Sequence, residues 1–275
     1  MKNMKSSSIL VLGFLLFMLI FSHPSTTQAQ EVEDEREFDY ARGSHMGPEK
    51  WGAIKKEWSL CSNGTMQSPI DMSSRRVAMV ATSTKLYRNY KPRNATINNR
   101  GHDIMLQWEG DAGSIRISGT NYALKQAHWH SPSEHTINGR RYDMELHMVH
   151  VSIDYKIAVI AVLYNIGKPD SFLSKLAVNI SSMIDEKGEH GHSGIISPKE
   201  IQMSSRRYYR YVGSLTVPPC TEGVVWTISR KIRTVSKGQV KLLREAVHDY
   251  AANNARPVQP HNERDTFFYG PDTRQ

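Results

Sequence analysis

The chain reads as a predominantly β, α+β domain organised around one large, mostly antiparallel sheet. Nine stretches alternate apolar with polar residues or run continuously apolar over strand lengths: 85–90, 95–99, 103–108, 114–118, 122–130, 142–152, 156–165, 207–212 and 224–230. One strong amphipathic helix accompanies them. That is too few helices for a doubly wound α/β fold, whose parallel strands each need a crossover.

At the start, Lys2 and Lys5 precede an apolar run from Ile9 to Phe21, too short to span a bilayer comfortably. Polar residues follow, and Thr27-Gln28-Ala29 fits a cleavage site. Residues 1–29 therefore read as a secretory signal peptide that is removed. A retained membrane anchor is the weaker alternative, because no charged stop-transfer flank follows. No later stretch is long and apolar enough for a transmembrane helix. Residues 30–37 form an acidic tail, Glu31 to Glu37, and 38–275 read as one domain without an internal repeat or a Pro/Gly/Ser linker. The 35 Lys and Arg exceed the 27 Asp and Glu by a formal +8. The basic residues are scattered and not interleaved with aromatics, which argues against a nucleic-acid partner.

Along the domain, Ile157 to Leu163 is continuously apolar and belongs deep in the sheet. Ser236 and Gln239 form a capping box, and Val240, Leu243, Val247 and Tyr250 recur on one face of the helix that follows. A shorter helix is expected around 171–177. The two cysteines, Cys61 and Cys220, form a disulfide in the secreted reading, with two independent buried thiols as the alternative. Asn63, Asn94 and Asn179 each begin an Asn-X-Ser/Thr sequon.

The chemistry centres on residues 126–149. Side chains alternate faces along a strand, so Gln126, His128 and His130 share one face, as do Glu145, His147 and Val149 on the next. Asn138-Gly139 between them is a strong turn signal. His130 and His147 lie equally far from that dipeptide, so an antiparallel return brings them close. Three imidazoles without a fourth protein ligand describe a catalytic zinc site with an open position. Gln126 and Glu145 are placed as acceptors that fix the ring tautomers. His128, His130 and His147 are thus the candidate zinc ligands.

Glu134, in the connection, is suited to accept a hydrogen bond from a hydroxyl, for which Thr216 in Ser214-Leu215-Thr216-Val217-Pro218-Pro219 is the candidate. His102, in Arg100-Gly101-His102, has the ordinary pKa of a neutral-pH proton carrier; a lone loop histidine is otherwise simply solvated. His190 and His192 read as exposed loop residues. Neither HExxH nor a Cys-x-x-Cys pair occurs.

At this point the chain resembles the alpha-class carbonic anhydrases. The matching residues are Tyr40, Gly47-Pro48-Glu49-Lys50-Trp51, Gln67-Ser68-Pro69-Ile70-Asp71, Gly101-His102, His128-Trp129-His130 and Ser133-Glu134-His135-Thr136. They continue through Glu145-Leu146-His147-Met148-Val149-His150, Ser214 to Pro219, Trp226 and Asn254-Ala255-Arg256-Pro257-Val258-Gln259-Pro260. The segments 128–136 and 194–198 are similar to the plant branch. The resemblance implies a sheet of about ten strands with zinc at the base of a conical cleft, and reversible hydration of carbon dioxide to bicarbonate and a proton by zinc hydroxide. It assigns zinc to His128, His130 and His147, supported by Gln126, Glu145 and Asn254. Thr216 and Glu134 become the gate that orients zinc hydroxide, and His102 the proton shuttle at the cleft mouth. Val149, Val159, Leu215, Thr216, Val217 and Trp226 line the substrate pocket. Cys61 and Cys220 sit where secreted members form their disulfide. The plant likeness admits either the extracellular space or a plastid reached through the secretory route. Arg100, Met105 and Val217 depart from the family pattern near the shuttle and the gate. A rival reading is a non-catalytic storage, binding or scaffold relative; such relatives typically lose a zinc histidine, and this chain keeps all three.

Overall fold

In the computed structural model, which describes residues 37–82, 85–184, 190–203 and 206–271, the alternating stretches become strands. The proposed signal peptide and almost all of the acidic tail lie outside the described residues. In chain order the strands are β1 (Asp71–Met72), β2 (Val77–Ala81), β3 (Tyr87–Arg88), β4 (Arg93–Asn99), β5 (Ile104–Trp108), β6 (Ser114–Ile117), β7 (Thr120–His130) and β8 (Thr136–Ile137). They continue with β9 (Arg140–Arg141), β10 (Met144–Ser152), β11 (Ile157–Ile166), β12 (His190–Ile196), β13 (Tyr208–Ser214), β14 (Glu222–Ser229), β15 (Arg233–Val235) and β16 (Thr266–Gly270). The helices are α1 (Trp51–Ile54), α2 (Leu60–Asn63), α3 (Ser171–Ser181) and α4 (Lys237–Ala246).

Thirteen strands form one sheet, whose main path runs β12-β4-β5-β7-β10-β11-β14-β13-β16-β2. The expected ten are this path; β3, β6 and β15 are short additions beside it. The sheet is mixed, because β11 runs parallel to β14 and β15, and β16 parallel to β2. The remaining pairs are antiparallel, so the mostly antiparallel expectation holds. A separate small sheet joins β1, β8 and β9.

Strand β11 shows why its sequence is apolar throughout. Ala158, Ile160, Val162 and Tyr164 enter one core with α3 and α4, while Ile157, Val159, Ala161 and Leu163 enter a second on the opposite face. A third cluster, around Phe38, Trp51 and Trp58, packs near the disulfide. Cys61 and Cys220 are bonded with Cα atoms 5.0 Å apart across 159 positions, so the two-thiol alternative falls away.

Three local expectations need correction. His190 and His192 belong to β12, paired antiparallel with β4, although His192 is exposed. The loop reading failed because Gly194 permits a register shift at positive φ (67°), where a side chain would be strained. Helix α4 has its capping box but ends at Ala246, leaving Val247 and Tyr250 outside it. The His248 N–H donates to the Gly101 carbonyl at 3.0 Å and leads the chain off the helix axis. Helix α3 extends four residues past the expected end at 177, capped by Asp170 and burying Phe172, Leu173, Leu176 and Ile180. Among the described residues no helix is long and apolar enough to cross a membrane.

Candidate metal centre

Strands β7 and β10 pair antiparallel, with Glu145 opposite His130 and His147 opposite His128. Asn138 and Gly139 both adopt positive φ, as a tight turn of this composition requires. Equal spacing from that turn placed His147 against His130, yet the register is offset by two residues. The offset arises because residues 131–135 loop out around the Glu145 carboxylate, whose Oε2 accepts the N–H groups of Glu134 and His135, both at 2.8 Å. The His147 ring still lies 4.6 Å from that of His130 and 5.1 Å from that of His128, centroid to centroid.

Each ring uses one nitrogen outward. His128 Nδ1 meets Gln126 Oε1 at 2.8 Å, His130 Nδ1 the Asn254 carbonyl at 2.7 Å, and His147 Nε2 Glu145 Oε1 at 2.7 Å. Donating there fixes each tautomer and leaves a lone pair on the other nitrogen. His147 Nδ1 and His128 Nε2 face each other at 3.3 Å, and one nitrogen from each of the three rings lies within 4.8 Å of the others. All three histidines are buried, at 2, 1 and 1 % exposure. His130 Nε2 has no hydrogen-bond partner, a costly state that a metal ion would relieve. Burial holds His128 well below its ordinary pKa and lowers His147, which keeps both neutral as ligands must be. Burial acts on His130 in the same sense, but the Glu134 carboxylate and the Asn254 carbonyl outweigh it and raise its pKa. Three buried imidazoles with tautomers set from outside are a donor set that could hold a metal ion such as zinc.

Asn254 acts through its main chain toward His130, while its side chain donates to the His102 and Trp129 carbonyls and accepts from Ser131 N. One partner escaped sequence reasoning. His135 Nδ1 lies 2.6 Å from Glu145 Oε1, and its Nε2 is 2.7 Å from the Tyr211 hydroxyl. His135 sits in a loop, where no alternation pattern could reveal its direction. Arg256 is a second: its N–H donates to Glu134 Oε1 at 2.9 Å, and its guanidinium to Gln67, Ser68 and Cys61.

Around this core several expectations shift. The Thr216 hydroxyl makes no hydrogen bond to Glu134: Oε1 is taken by Arg256, and Oε2 points toward His130 Nε2, 3.7 Å away, without a hydrogen-bond partner. Thr216 is nevertheless buried in a loop pinned by paired bonds between Ser68 and Ser214 (2.9 and 3.0 Å) and by Trp226 Nε1 to the Ser214 carbonyl (2.9 Å). Val149, Val159, Leu215 and Trp226 share one apolar cluster, and the Trp226 ring lies 4.8 Å from that of His147. Val217 does not join them. It packs with Phe38, Cys61 and Cys220, because the turn from Val217 O to Cys220 N carries it to the disulfide side.

His102 is buried at 0 % exposure, not at a cleft mouth. Phe38 covers it with ring centroids 5.1 Å apart, part of an aromatic cluster that includes Tyr40, Trp51 and Trp58. Arg100, beside His102 in the sequence, grips Asp103 through Nε (2.7 Å) and Nη2 (2.5 Å). Burial opposes ionisation of Asp103, but Arg100 holds its carboxyl far below the usual range. Met105 is buried opposite His128. Of the sequons, Asn63 and Asn94 are exposed, whereas Asn179 is half-buried and donates from Nδ2 to the His192 carbonyl at 3.2 Å.

A family model described as eukaryotic-type carbonic anhydrase matches residues 46–269. The chain belongs to this family. It is 56 % identical to carbonic anhydrase Nec1 of Nesocodon mauritianus, over 96 % of each chain. Among carbonic anhydrases of known structure, the alpha-class protein from Thermovibrio ammonificans, solved with the inhibitor sulfanilamide, is 35 % identical with a TM-score of 0.76, covering 84 % of this chain and 98 % of that one. A crystal structure of dioscorin complexed with ascorbate gives a TM-score of 0.84 at 45 % identity, covering 86 % and 99 %.

Proposed function

We propose that the protein is a zinc-dependent carbonic anhydrase that interconverts carbon dioxide with bicarbonate and a proton. The observation that carries this reading is the triad itself: His128, His130 and His147 each turn one nitrogen to a fixed acceptor and the other inward. When bound, zinc supplies Lewis acidity that lowers the pKa of its water to about 7, making a nucleophile available near neutral pH. The protein's own residues do the rest. Gln126, Glu145 and the Asn254 carbonyl hold the three rings in orientation. Val149, Val159, Leu215 and Trp226 offer an apolar surface beside His147, which suits an uncharged substrate and gives bicarbonate no reason to stay. Glu134 presents Oε2 toward the same space, and the Thr216 hydroxyl acts as a polar guide when it turns toward that carboxylate. His102 passes the released proton outward when its ring turns away from Phe38.

The route through the secretory pathway, with a cleaved segment 1–29, is part of the same proposal, and a disulfide is in keeping with it. Metal analysis and a hydration assay on purified protein, with and without a zinc chelator, test the function. One zinc per chain and chelator-sensitive hydration are expected. A metal-free protein without activity would favour the rival reading of a binding protein, to which the likeness to dioscorin with ascorbate gives some weight.

A further inference from the structure

We propose that a cavity at the β2 edge of the large sheet binds small anions that carry a flat apolar body, of the aromatic carboxylate kind. The cavity has a volume of about 520 Å³, within the range of small-molecule sites. Its floor comes from three strands in register: Met79 lies opposite Phe268, and Phe268 opposite Tyr209. Alternation along β2 sets Val77 on the same face as Met79. The Phe268 and Tyr209 rings stand 5.0 Å apart at 53°. Met79 is 53 % exposed, a large flexible apolar side chain left uncovered at the cavity wall.

The rim supplies the charge. Arg207 precedes β13, and Arg230 and Lys231 follow β14; the Arg230 N–H donates to the Arg207 carbonyl at 3.0 Å, which locks these cationic residues side by side. Among the described residues, no carboxylate lines the cavity. Three exposed lysines elsewhere are paired with acids, Lys91 with Asp111, Lys175 with Glu200 and Lys241 with Glu245. Three clustered positive charges over an aromatic floor are complementary to a carboxylate joined to a ring. Guanidinium groups bind carboxylates through charge-assisted hydrogen bonds, and the rings accept a flat body by offset stacking. A bare inorganic anion would use the rim and leave the floor unfilled. The site is distinct from the metal centre, since none of the three histidines is among its lining residues.

The test is a titration of the full chain, labelled with ¹³C at its methionine methyls, with 2-naphthoate. The Met79 resonance, assigned with Met79→Leu, is expected to shift saturably while those of Met105 and Met148 near the metal strands stay in place. Arg230→Gln should weaken that binding by about tenfold, the scale of one charge-assisted hydrogen bond, and leave hydration unchanged. The neutral 2-naphthylmethanol should bind at least about tenfold more weakly. An unmoved Met79 at millimolar naphthoate overturns the proposal. So does equal binding of the neutral alcohol, insensitivity to Arg230→Gln, or a shift confined to Met105.

Discussion

Glu145 Oε1 accepts the Nε2–H of His147 at 2.7 Å. The same oxygen takes His135 Nδ1 at 2.6 Å, while Oε2 is held by two backbone N–H groups, so the carboxylate has nowhere else to go. Burial works against its ionisation, but His135 and His147 pull its pKa well below the ordinary value. Glu145→Gln replaces one acceptor oxygen with a donor that must face an N–H. Zinc affinity, measured by competition with a chelator, should fall about 10- to 100-fold. Unchanged affinity would mean that the carboxylate does not orient the ligand.

Loss of a ligand is more severe than loss of its support. His147→Ala should reduce bound zinc to a small fraction per chain and hydration by at least about a hundredfold, because only two imidazole ligands remain. Elemental analysis and stopped-flow hydration read both effects. Full occupancy with normal turnover in this variant would remove the site.

The period-two pattern made most of this legible. His128, His130, Gln126, Glu145 and His147 lie on regular strands, where facing follows from position alone, and they were found in the sequence. What it could not show depends on loops and on distant segments. The outward bow of 131–135 shifted the register by two residues, and the Asn254 carbonyl reaches His130 across 124 positions. The Phe38 ring over His102 likewise joins segments with no shared periodicity. Strands β2 and β16 were missed because one is a short edge strand and the other an aromatic run near the end.

His150 should shape the acid limb of stability. It is buried, with Nε2 2.9 Å from the Tyr90 hydroxyl, and burial lowers its pKa to about 4. The unfolded chain, with a histidine pKa of about 6.5, binds the proton first. Above that pH the group has no effect on stability. As pH falls from about 6.5 to about 4 it costs up to about 3 kcal/mol, and below that the loss is constant. Urea unfolding of His150→Gln across this window should therefore show a shallower acid decline than the parent. Parallel curves would exclude His150 as the cause.

The disulfide closes a loop of 159 positions. In the chain-entropy account such a closure stabilises by up to about 5 kcal/mol. Non-reducing mass spectrometry should find the linked peptides, and Cys61→Ala with Cys220→Ala should lower the unfolding midpoint and loosen the Thr216 loop. Equal midpoints would show that packing around Trp51 and Trp58 already holds the two segments together.

His102→Ala should reduce maximal turnover in dilute buffer about tenfold or more while leaving the rate at low carbon dioxide nearly unchanged, and small imidazole buffers should restore much of the loss. Because Phe38 covers the ring, Phe38→Ala should raise turnover in dilute buffer relative to its own His102→Ala double variant. If His102→Ala alone turns over normally there, protons leave by another route.

The pairing of β2 with β16 sets a calendar for the nascent chain. The segment Val77–Ala81 emerges early, but its sheet partner Thr266–Gly270 is made roughly 185 residues later. The acceptor for His130, at Asn254, also arrives after all three imidazoles. A growing chain therefore carries the three histidines of β7 and β10 long before their rings are fully oriented or its sheet edge is covered. Truncation before 266 would strand β13 at an open edge, with Tyr208 and Tyr209 uncovered, and such a fragment should aggregate during synthesis. The last strand of the large sheet to be translated is thus the one that covers its first.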